Sequence, residues 1–110
     1  MTENPPYGAK ITVEKKGIAN GYLAKELDPH LSGLLSKASE NFFGQKWRSF
    51  GSGGAIPFMS GLGSLYPHTQ IIGTGVMSPD SNAHVENENL NLAFAKKLLK
   101  SITFILGGLQ

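Results

Sequence analysis

The sequence has no cysteine among its 110 residues. Disulfides and thiolate metal sites are therefore excluded, and the composition suits a reducing compartment. Charge is sparse at 16%, low for a soluble domain, which hints that part of the surface is meant to be covered. No apolar run approaches the roughly 20 residues of a membrane span, so no membrane partner is expected. Residues 1–10 lack the apolar stretch of a secretory signal, and the cytoplasm is the expected location. Basic residues are not gathered with aromatic ones: Lys10, Lys15 and Lys16 lie near the start, Lys96, Lys97 and Lys100 near the end. The pI of about 9.0 accordingly gives little support to nucleic-acid binding.

What is present is 40% hydrophobic residues with recognisable periodicity. Residues 9–16 alternate, Ile11 and Val13 on one face against Lys10, Thr12 and Glu14 on the other, as in a half-buried strand. No hairpin partner follows, so this strand needs a sheet supplied from elsewhere. Asp28-Pro29 opens a helix, with Asp as cap and Pro at the first position. Leu31, Leu34, Leu35, Ala38 and Phe42 give it an apolar stripe, and Gly44 stops it. Residues 46–50 form a short strand candidate, and 55–65 a second helix with Pro57 in its first turn. Residues 69–76 read as a further strand and 77–89 as a polar loop. Residues 92–106 read as the last helix, with Ala95, Leu98, Leu99, Ile102, Ile105 and Leu106 buried and Gly107-Gly108 as its stop. The order strand, helix, strand, helix, strand, helix predicts an α/β fold, a partial layered sheet with helices.

Two loops carry chemistry. Gly51-Ser52-Gly53-Gly54 links strand to helix, and its backbone amides at a helix start could receive an anion. It lacks the ending of a Walker loop and the glycine spacing of a dinucleotide loop. Alone it reads equally as a tight turn that needs glycine for close packing. The second loop, Ser78 to Glu88, places His84 among Asp80, Glu86 and Glu88. Neutral imidazole is a preferred zinc ligand and carboxylates commonly accompany it. Spacing alone fits a solvated acidic loop as well. His30 and His68, beside a helix start and a turn, read as ordinary surface histidines.

Three segments occur in order: Asn4-Pro5-Pro6-Tyr7-Gly8-Ala9-Lys10, Gly53-Gly54-Ala55-Ile56-Pro57-Phe58 and Asn82-Ala83-His84-Val85-Glu86-Asn87-Glu88. Together they resemble the C-terminal part of the dizinc peptidase family that includes carnosinase, acetylornithine deacetylase, succinyl-diaminopimelate desuccinylase and carboxypeptidase G. The resemblance implies that residues 1–17 are the last strand of a lid domain of the dimerisation type. Residues 18–110 would be the C-terminal part of the catalytic domain. It implies two zinc ions in the parent enzyme, with His84 the one ligand contributed here. Gly53, Gly54 and Ala55 would hold the substrate's carboxylate end, and Asn87 and Glu88 would be the Asn-Glu pair after the zinc histidine.

The implied reaction is hydrolysis of dipeptides or N-acyl amino acids, with zinc activating a water. The other ligands and the general base lie in the family's N-terminal half, which nothing in this chain resembles. No catalytic residue is thus expected within the chain, and the missing half becomes an expected partner. So does a second copy, since an unpaired strand invites self-association. Two positions depart from the family's habit: Ser52 stands where Glu is frequent, and Ala55 where Ser or Thr is. The Ala55 change removes a hydroxyl from the substrate turn. The alternative is a small stand-alone anion-binding or structural module without catalysis.

Overall fold

A computed structural model describes residues 4–14, 21–52 and 56–110. Its regular elements are a single 3-10 turn at Pro6–Gly8 and helices α1 (Pro29–Phe43), α2 (Pro57–Leu65) and α3 (Leu92–Gly108). Among the described residues there is no β-strand.

Helix α1 begins where Asp28-Pro29 predicts. The Asp28 carboxylate accepts from the amides of His30 and Leu31, two of the donors a helix start leaves without partners. It ends at Gly44, whose φ of 69° lies in the left-handed region that glycine enters at least cost. Helix α2 starts at Pro57, two residues later than the expected start at 55, and closes at Tyr66. Asn91 caps α3 by accepting from the Phe94 amide. Contrary to the sequence reading, Gly107 and Gly108 continue the helix and Leu109 caps it.

Among the described residues, the helix–helix contact is α1 against α3. They run antiparallel: the His30 ring meets the Gly108 carbonyl at 2.8 Å, while Phe43 and Phe94 meet at a tilt at the other end, centroids 5.1 Å apart. Phe42 meets Phe104 edge-on at 6.1 Å. Such aromatic pairs add about 1 kcal/mol beyond the area they bury. A side chain at Gly108 would run into Leu34, so the missing Cβ sets how closely the helices approach. Leu31, Leu34 and Ala38 are the buried apolar residues. Leu35 and Phe42, also expected in that stripe, are only half-buried.

The α/β layered sheet expected from the sequence is therefore corrected. Residues 9–14, 46–50 and 69–76 have the composition of strands but form no ladder. The physical reason is pairing: a strand's amides and carbonyls need a neighbouring strand, and alternation alone supplies none. Ile11 and Val13, the expected inner face of the first strand, are exposed. Residues 4–14, the described part of the lid strand expected at 1–17, form no ladder; 1–3 and 15–17 lie outside the described residues. Side chains hold the irregular segments instead. Trp47 donates its indole N–H to Ser36 Oγ, folding the segment after α1 back onto that helix. Gln70 accepts from the Asp28 amide and donates to the Glu26 carbonyl, joining the approach to α1 to the segment after α2.

The resulting shape is open. The radius of gyration is 19.2 Å, against about 13 Å for a compact domain of this length. The chain exposes 9766 Å², about two-thirds more than a folded monomer of its mass.

Replacing Asp28 with Ala removes the cap and should cost about 1 kcal/mol of stability. Gly107 lies in open space, so Gly107→Ala should raise stability by up to about 1 kcal/mol through helix propensity. Urea unfolding followed by helical circular dichroism checks both signs.

Candidate functional site

The loop that carries His84 joins residue 76 to the start of α3. Ser81, only 3% exposed, organises it. The Ser78 amide donates to Ser81 Oγ at 2.8 Å, and the two hydroxyls lie 2.9 Å apart. The Ser81 carbonyl accepts from the Asn89 amide at 2.9 Å, and the Asn89 side chain donates to the Asp80 carbonyl at 2.8 Å. These bonds close residues 78–89 into a loop whose ends meet. A Ser-Pro-Asp-Ser run is turn chemistry, since short hydroxyl and carboxylate side chains bond to nearby backbone. That signal is in the sequence, but its use to brace the loop from inside was not read from it.

Within this frame Asn82, His84 and Asn87 take φ values of 51°, 66° and 62°. Left-handed backbone is uncommon outside glycine, and Asn and His are among the residues that enter it most readily. Each such position costs on the order of 1 kcal/mol, held by the surrounding bonds. For His84, the backbone amide donates to Glu88 Oε2 at 3.4 Å. Glu88 thus reaches the histidine expected to bind metal, but at its backbone rather than its ring. Asn87 is exposed.

His84 and Glu88 border an open surface hollow of about 380 Å³, lined also by Val76, Met77, Ala83 and Leu90, with Ser81 and Asn89 as polar neighbours.

The described residues do not by themselves make up a zinc site. No group of three or more His, Asp or Glu side chains converges among them, where a catalytic zinc takes about three protein ligands. The other chemically suggestive turn, Gly53, Gly54 and Ala55, lies outside the described residues; the adjoining Gly51, Ser52 and Ile56 are exposed. His30, read as an ordinary surface histidine, is exposed but has a structural bond to Gly108 that joins the ends of α1 and α3. His68 is exposed.

No protein-family model, curated protein or solved structure matches this chain. Among the described residues, no helix is long and apolar enough to cross a membrane.

Ser81→Ala removes the acceptor for the Ser78 amide. With about 1 kcal/mol at stake in a hydrogen bond of this kind, exchange of the Ser78 amide should quicken by roughly an order of magnitude. Amide exchange followed by NMR measures this, with the α1 amides as the unchanged reference.

Proposed function

We propose that this chain is the C-terminal portion of a zinc-dependent amidohydrolase or peptidase acting on dipeptides or N-acyl amino acids. In this reading His84 is its contribution to the metal centre. Gly53, Gly54 and Ala55 would receive the substrate's carboxylate. The observation that carries the proposal is the setting of His84. A loop braced by a buried serine holds it in left-handed backbone at the rim of an open surface hollow, with its ring exposed. Glu88 fixes the backbone at that point and leaves the imidazole available. The open shape and large exposed surface support the same reading, since a piece of a larger catalytic domain leaves uncovered the surface its remainder would cover. The complementary half would bring the other metal ligands and the general base. The chain by itself is inert, because a single histidine does not hold a catalytic zinc.

The test has two arms. The isolated chain with added zinc should release no amino acid from a panel of dipeptides and N-acyl amino acids. Chelator-sensitive release would contradict the proposal. Co-expressed with the N-terminal half of such an enzyme, the chain should restore hydrolysis. His84→Ala should then reduce it by at least about a hundredfold with loss of bound zinc, as for a lost metal ligand. His68→Ala should be nearly silent. Equal effects of the two substitutions would remove His84 from the metal centre.

A further inference from the structure

The charges of the helix pair are unevenly divided. Helix α3 carries Lys96, Lys97 and Lys100, and no acidic residue follows Glu88. The acidic residues of the pair, Asp28 and Glu40, belong to α1 and its cap. Lys97 stands over the Phe43 ring, its ammonium 6.0 Å from the centroid. Lys96 and Lys100 are exposed and form no ion pair among the described residues. At about 100° per residue, these two border an arc of about 80° that holds Leu92, Ala95, Leu99, Ile102 and Leu106. Leu92, Leu99 and Leu106 are more than 60% exposed. The side that meets α1, with Phe94, Phe104 and Gly108, lies roughly 150° away around the helix.

We propose that α3 lies in the plane of an anionic phospholipid surface, its aliphatic arc among the acyl chains and Lys96 and Lys100 at the headgroups. The absence of a spanning helix leaves this mode of contact open, since an in-plane helix needs one apolar face and a cationic border rather than a long apolar run. Charge is what selects the occupant. Covering an apolar arc with protein calls for no particular charge beside it, whereas an anionic bilayer calls for lysines and for no acidic residue. Long lysine side chains also keep their ammonium groups in water while their stems lie along apolar surface. The geometry is consistent with this seat: with the arc facing the bilayer, α1 and its two acidic residues point away from it. The inference rests on the helix pair and does not depend on the metal chemistry proposed for His84.

Phosphatidylcholine vesicles containing about one-third phosphatidylserine supply the anionic surface, and pure phosphatidylcholine vesicles the neutral one. The 110-residue chain should co-sediment with the first at least about tenfold more strongly, and about 0.5 M salt should remove most of the difference. Lys96→Gln with Lys100→Gln should weaken binding about 25-fold, since each cation near such a surface is worth about fivefold. Lys10→Gln with Lys37→Gln, an equal loss of charge outside α3, should do little. Leu99→Gln should weaken binding while the helical circular dichroism is kept. Orientation has its own readout. Trp47, the only tryptophan, is held on α1 by Ser36 and should be poorly quenched by brominated lipid. A second indole introduced by Leu106→Trp should be strongly quenched. Failure to bind anionic vesicles would overturn the proposal and leave the arc to a protein partner. Equal binding to neutral vesicles, equal effects of the two lysine pairs, or indifference to Leu99→Gln would overturn it as well.

Discussion

The antiparallel contact between α1 and α3 is the packing on which the described fold of this chain depends. It contains the buried apolar residues Leu31, Leu34 and Ala38 and both aromatic pairs, and its closest approach depends on a glycine at position 108. The histidine at the start of α1 bonds to the end of α3, so the two helices are tied at both ends of their contact. Burial of a few aliphatic side chains is worth several kcal/mol at most, while ordering each further residue costs about 1 kcal/mol or more. A hairpin of this size can hold its own helices. It offers little to the segments that follow residues 8, 45 and 66.

The helices were legible in the sequence for reasons that act over a few residues. Asp28-Pro29 and Gly44 mark boundaries through capping and backbone angles, and the structure respects both. The Gly107-Gly108 pair misled: both lie inside α3, Gly107 in open space and Gly108 where Leu34 comes too close for a side chain. The strands failed for a different reason. Alternation of Ile11 and Val13, or the β-branched residues of 69–76, specifies a surface that could enter a sheet. Whether a sheet forms depends on a partner that periodicity does not identify.

The candidate site divides the same way. His84 stood out by residue type and by the segment around it, and the structure places it at an open surface hollow with Glu88 against its amide. The internal brace through Ser78, Ser81 and Asn89 was hidden among ordinary turn residues, since what distinguishes Ser81 is burial, which arises only once the loop has closed. The role of His30 was hidden too, because Gly108 lies 78 positions away in the chain. Local chemistry is written locally, whereas contacts between distant segments are not. The stripe of α3 lies between these cases: its periodicity is plain, but Leu99, Ile102 and Leu106, expected to be buried, are exposed, because the helix turns Phe94 and Phe104 toward α1.

The central claim is that the α1–α3 helix pair is the self-standing unit and that the described segments between the helices are not paired in a sheet. Native-state amide exchange across the whole chain tests it most directly, because protection reports the free energy of opening segment by segment. The amides of α1 and α3 should exchange together and most slowly, with those of residues 46–50 and 69–76 faster by several orders of magnitude. Protection of residues 69–76 equal to that of α3 would mean that these amides are paired in a sheet, and would contradict the account.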